Sequence, residues 1–271
     1  MSDIFSFSRL LQLVRKQWIE NARLYVLSTL ALIGILGMVL LFWFFSSSDS
    51  FKEEALYIIF TFGIYIAGGV FASMSFNMLG EKEKGTYWLA FPASQLEKLL
   101  CILLYNVVFF TLVYGACFLL LKTVAFTYIQ NLIAINPAKY HWRNMDWRET
   151  SNEFSVAFPY FMYAFFAVQA FYVLGSIYFV RFSFVLTTVV GAALIAGFMW
   201  YAVYLSKNML PDSYHWNGNH VSTQISDSSG FTTSRYDLPG LLSEVFSFLV
   251  KFVWAPVFWI ATWYRLREKQ I

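Results

Sequence analysis

Charged and apolar positions divide this chain into long uncharged runs joined by short charged stretches. Residues 24–45, 55–79, 99–121, 154–180 and 182–206 contain no Asp, Glu, Lys or Arg, and residues 245–264 contain one, Lys251. A helix needs about 20 apolar residues to cross roughly 30 Å of hydrocarbon, and each run meets that length. The pattern predicts an all-α integral membrane protein with six transmembrane helices. Residues 4–22 carry a different pattern ahead of the first run. Phe7, Leu11, Val14, Trp18 and Ala22 line one helical face, and Arg9, Gln12, Lys16 and Arg23 lie mostly on the other. That spacing suits an amphipathic helix in the inner interface, with Trp18 at headgroup depth. A packed juxtamembrane helix without a special role is the plainer alternative.

Composition agrees with this reading. The chain has 271 residues, 59% of them hydrophobic, 21% aromatic and only 13% charged, unlike an ordinary soluble domain. The first run has 22 residues, longer than the roughly 7–15 of a signal-peptide core, so it is expected to stay as a span. Cations are unevenly placed. Arg9, Arg15, Lys16, Arg23, Lys82, Lys84, Lys98, Arg181, Arg265, Arg267 and Lys269 fall on one side of the predicted membrane, eleven against seven in the longer loops opposite. The positive-inside rule therefore puts both termini and the 80–98 loop in the cytoplasm, with 122–153 and 207–243 as external segments.

The 80–98 loop is the densest charged cluster between two apolar runs. Ser94-Gln95-Leu96-Glu97 reads as a capping box that starts a helix. Pro92 biases Phe91 away from helical geometry and writes a break before it. Tyr87, Trp88, Leu89 and Phe91 form an aromatic and apolar patch on this polar loop. Such a patch either lies in the membrane interface or docks onto another protein.

Elsewhere the chemistry is sparse. In the second span Gly68/Ala72 and Gly69/Ser73 form two overlapping small-xxx-small pairs, a seam for a helix of this chain or of a second copy. Lys251 in the last run can snorkel to the outer headgroups or meet an anionic substrate, and Pro256 is expected to kink that helix. Cys101 and Cys117 lie 16 residues apart on one predicted helix, about 24 Å, too far to pair. Tyr140-His141-Trp142 and Tyr214-His215-Trp216 repeat a tripeptide in the external segments, and with His220 they hold all three histidines. Their spacing fits no standard metal motif, and an outer aromatic belt suits them better. Residues 222–230 read as a polar, mobile segment. The run Gly80–Tyr87 approaches a phosphate-binding loop, but Thr86 stands where the lysine is needed. No hydrolase elbow or zinc-protease motif is present. None of the apolar runs contains an Asp or Glu, which argues against proton or cation coupling through carboxylates.

Together these features resemble the permease subunit of the ABC-2 type (type V exporter-like) transporters, over nearly the whole chain. Residues 4–22 match that family's elbow helix, and Leu89–Lys98 looks like the L-x-x-P-A-S-x-x-E-K signature of its small bacterial permeases. The ending Trp263–Lys269 is similar to their common tail. The resemblance implies a bacterial inner-membrane permease, an exporter, that pairs with a second permease chain, alike or different. ATP and magnesium would bind on a separate cytoplasmic ATPase, so this chain would carry no cofactor and no enzymatic activity, and no nucleic-acid partner is expected. Tyr87, Trp88, Leu89 and Phe91 would seat in an ATPase groove, with Lys82, Lys84 and Glu97 setting register. Asp at Trp88 and Phe91 would then uncouple the partner without disturbing insertion. The external segments lack the cysteines of larger family members. The alternative is a non-transporting sensing or immunity subunit that binds a soluble partner through the same loop.

Overall fold

A computed structural model of the chain describes residues 5–47, 50–80, 82–145, 153–179, 181–209, 214–217, 220–227, 230–237, 244–245 and 248–269. Five helical stretches among them are long and apolar enough to cross a membrane: Phe7–Ser46, Glu53–Leu79, Gln95–Ile135, Ala157–Tyr178 and Ser183–Leu205. That suggests a multi-pass membrane protein. The chain divides into two compact units, one made of Met1–Phe184 with Ala255–Ile271, the other of Val185–Trp254.

In the first unit the helices run further than the charges suggest. α1 is one continuous helix, Phe7–Ser46, so the interfacial helix expected at 4–22 is not separate from the first span. Nothing between Glu20 and Leu27 breaks it: the segment has neither Gly nor Pro. Forty residues make it about 60 Å long, twice the hydrocarbon thickness. α2 (Glu53–Ser73) passes through a turn into a 3₁₀ segment, Asn77–Gly80, and the short helix α3 (Lys82–Ala90) follows. α4 (Gln95–Leu103) widens into a π turn, Leu104–Phe109, and continues as α5 (Phe110–Ile135). The expected boundary at Lys122 is therefore crossed by the helix. Lys122 donates to Glu53 Oε1 at 2.9 Å and to Tyr57 Oη at 3.0 Å, and a neutralised cation has no reason to end a helix. α6 spans Glu153–Tyr178; α7 (Ser183–Met209) begins at the edge of this unit and belongs from Val185 on to the second. Strands β1 (Ser50–Lys52) and β2 (His141–Arg143) pair in parallel, with Phe51 opposite Trp142.

Close packing replaces hydrophobic burial as the cohesive force between membrane helices. Leu36 and Leu40 of α1, Leu56 and Ile64 of α2, Phe110, Tyr114 and Phe118 of α5 and Phe165 of α6 form one buried cluster. A second joins Ala72 and Phe76 to Leu99, Ile102, Val173 and Ile177, with Leu266 from the C-terminal helix α8 (Trp254–Glu268). Lys269, just beyond α8, donates to the Ile177 carbonyl at 2.7 Å and so caps the end of α6, where a cation is favoured. Burial there, and Arg265 nearby, push its ammonium below the usual lysine range.

The last apolar run is described only in part. Its described part forms a π turn, Leu249–Val253, and then α8. It is not among the helices long and apolar enough to span, so six spans are not shown. Lys251, four Trp or Tyr residues and Pro256 dilute its apolar character. Pro256 cannot donate to the carbonyl four residues back, which accounts for the irregular turn just before it. In the second unit, strands β3 (Tyr214–Asn217), β4 (His220–Asp227) and β5 (Gly230–Asp237) form an antiparallel meander in the order β3-β4-β5. The segment read as polar and mobile thus lies largely in β4, where alternating Val221, Thr223 and Ile225 suit a strand.

Candidate docking site at the 80–98 loop

The loop folds as two short helices with a stop between them. Ser94 has the extended backbone of an N-cap (φ −66°, ψ 155°), its hydroxyl accepts the Glu97 N–H at 3.2 Å, and Glu97 Oε2 accepts the Ser94 N–H at 2.9 Å. The capping box is present as the residues predict. Pro92 sits exposed at the joint, and the Ala93 N–H turns back to the Phe91 carbonyl at 2.7 Å.

Glu97 does more than cap α4. It is fully buried, and its Oε1 accepts the Ser6 N–H at 2.6 Å and Arg9 Nε at 3.2 Å, with the Arg9 guanidinium also at 3.1 Å. One carboxylate therefore sits at the positive ends of two helices, α4 and α1. α1 has no acidic residue in its own first turn, so Glu97 supplies the missing anion from 91 residues away. A register-setting role at a partner surface does not fit that position, because the carboxylate is used inside the chain. A hint was legible: Arg9 lies in the first turn of a helix, where a cation opposes the dipole unless an acid meets it.

The aromatic patch is divided by the fold. Glu83, Thr86, Tyr87 and Ala90 are exposed, and their spacing of three and four places them on one face of α3. Tyr87 is 63% exposed. Gly85 is buried on the opposite side, its Cα hydrogens facing the Leu79 and Met78 backbone. Trp88 turns inward and meets Phe76 edge-on at 6.1 Å, with the Lys98 ammonium 5.3 Å from its ring centre. Phe91 packs toward Leu13, Cys101 and Tyr105 and lies 4.0 Å beneath the Lys16 ammonium. Lys16 also reaches Tyr87, at 4.4 Å from the ring centre and 3.3 Å from the hydroxyl. Asp at Trp88 or Phe91 would thus disturb packing before it disturbed docking. The side chains of Lys82, Lys84 and Leu89 lie outside the described residues.

α1 braces the loop from a second point, since Tyr105 Oη donates to the Val14 carbonyl at 2.8 Å. The small cleft left between α1 and the loop, bordered by Lys16, Glu20, Trp88 and Lys98, has room for about one water molecule. The site's usable surface is therefore the outer face of α3.

The other predicted positions fall elsewhere. Gly68 and Gly69 pack against α6: a methyl group at Gly68 would come within 2.7 Å of Phe165, and one at Gly69 within 3.0 Å of Tyr172. Ala72 and Ser73 are buried as well. The small-residue seam is filled by a helix of the same chain. Lys251 is half-buried in the π turn Leu249–Val253. Cys101 and Cys117 are both buried free thiols. Among the described residues no group of His, Cys, Asp and Glu is arranged to hold a metal. Comparison with protein-family models, curated proteins and solved structures finds no match to this chain.

Proposed function

We propose that this chain is the membrane-spanning permease subunit of an ATP-driven exporter, coupled to a separate cytoplasmic ATPase through the outer face of α3. The observation that supports this most is the construction of the loop. A connector between two spans needs only a few flexible residues. This one is a short helix fixed on its inner side by Gly85 and Trp88 and tied to α1 through Lys16. Its outer side presents Glu83, Thr86, Tyr87 and Ala90. A rigid, shallow ridge with one large aromatic is suited to carry force from a soluble motor into helices, because movement of α3 must move α1, α2 and α4 together. Tyr is among the residues that anchor protein interfaces.

Co-purification from the native host in mild detergent tests the proposal. A stoichiometric ATPase with a phosphate-binding loop supports it, and a chain that emerges alone or with a non-ATPase partner argues for a sensing or immunity role. Tyr87→Asp is expected to lower ATPase recovery at least tenfold, since an anchor residue contributes about 2 kcal/mol or more, with membrane insertion unchanged. Undiminished recovery would move the contact away from α3.

A further inference from the structure

The π turn Leu104–Phe109 holds a polar cluster deep in the first unit. Asn106 is 2% exposed and Gln169 of α6 is 1% exposed. Asn106 Nδ2 donates to Ser75 Oγ at 2.8 Å and to the Ile102 carbonyl at 2.9 Å. The Asn106 backbone carbonyl accepts Gln169 Nε2 at 2.6 Å. A π turn shifts the helical ladder by one residue, which frees a main-chain carbonyl to meet a side chain. Both amide nitrogens are thereby engaged. Both amide oxygens, Asn106 Oδ1 and Gln169 Oε1, are buried without a hydrogen-bond partner.

The unmet groups in this cluster are the two side-chain oxygens. Besides the two amide oxygens, Ser75 Oγ and the Asn106 carbonyl each keep a second lone pair. A buried acceptor left unmet costs about 1–3 kcal/mol, and two joined through one short network call for an occupant. That occupant must bring positive charge or donors. No carboxylate belongs to the cluster, which disfavours a divalent ion. Neutral carbonyl and hydroxyl oxygens beside an irregular helical turn are the setting in which membrane proteins bind monovalent cations. We propose that Ser75 Oγ, Asn106 Oδ1 and Gln169 Oε1, with the Asn106 carbonyl, bind a dehydrated sodium or potassium ion. The ion would join the turn after α2, the π turn and α6, so its occupancy would bear on the packing of these elements against one another. This site is independent of the ATPase reading.

The full-length chain, purified in mild detergent, would be melted in sodium, potassium and choline chloride at equal ionic strength. A saturable rise of the melting midpoint in sodium or potassium over choline is expected, and Asn106→Leu and Gln169→Leu should each abolish it. Gln169→Glu, which turns the Nε2 donor facing the Asn106 carbonyl into a second, charged oxygen, should lower the half-saturating concentration several-fold. Should the Leu variants fail to fold, competition of radiolabelled sodium by unlabelled sodium on the unmodified chain, together with Gln169→Glu, decides the matter. Equal midpoints in all three salts, a rise that survives both Leu variants, or no competable sodium binding would overturn the proposal. A Gln169→Glu chain that responds as the unmodified one does would also overturn it and assign the oxygens to a bound water.

Discussion

Two glutamates tie helices together at opposite ends of α2, and they do so in different surroundings. At the end that carries the 80–98 loop, Glu97 is fully buried and joins the starts of α1 and α4 through Ser6, Arg9 and Ser94. At the end that carries β1 and β2, Glu53 joins α2 to α5 through Lys122 and takes the Met145 N–H at 3.1 Å. There the two side chains keep 17% and 21% of their exposure. Glu97 is dry on its own side, although Arg9 is 39% exposed. The same chemistry therefore fixes geometry at one end and trims it at the other. A buried carboxylate with four donors around it cannot be rearranged without stranding charge. A pair that keeps some exposure on both sides can exchange part of its contact for water at a smaller cost than a fully buried carboxylate. The rigid end is the end that carries α3, which is where a force-bearing contact would need firm footing.

The largest test of this contrast is Glu97→Leu. It strands Arg9, the Ser6 N–H and the cap of α4 together, and should destabilise the chain by about 3 kcal/mol, seen as a lowered melting midpoint in detergent. Recovery of most of that loss by pairing it with Arg9→Leu would show that the stranded cation, more than the lost cap, carries the effect. Next comes Gly68→Ala, between the two ends. The added methyl meets Phe165 at 2.7 Å, and overpacking should cost about 2 kcal/mol. Gly37→Ala in α1, where nothing lies within 4 Å, serves as its neutral counterpart; equal losses at both glycines would mean that helix contact is not the reason. The smallest effect is expected at the other end. Lys122→Met should cost about 1 kcal/mol, the upper end for a surface pair because both side chains are mostly buried, and the cost should shrink as salt is raised. A salt-independent loss as large as that of Glu97→Leu would erase the distinction between the ends.

Much of the architecture was legible in the residues. Uncharged runs became helices, the capping box formed, the glycines at 68 and 69 met a neighbouring helix, and the small residues at 72 and 73 were buried. Two boundaries were misread where charge was taken as a stop, while the break at Arg181 was read correctly. Lys122 lies inside a helix because Glu53 answers it, and α1 ignores the junction at Arg23 because no breaker stands there. The last run is helical in its described part, and its span is not shown. At the candidate site, the aromatic cluster was visible, but its division into an exposed Tyr87 and inward Trp88 and Phe91 was not.

Local pattern decides what a residue's own turn can feel: periodicity, caps, propensity and the length of an apolar run are all settled within a few positions. The sequence by itself thus determined that the chain is built of membrane-length helices, that Ser94 caps α4, and that Gly68 and Gly69 invite close approach. Only the tertiary structure decided that α6, rather than a second copy, fills that seam. It likewise decided that Glu97 meets Ser6 and Arg9, and that Gln169 meets the π turn at Asn106. Those partners lie 91, 88 and 63 residues apart. Whether they meet depends on how whole helices turn and slide against one another, which no local pattern records.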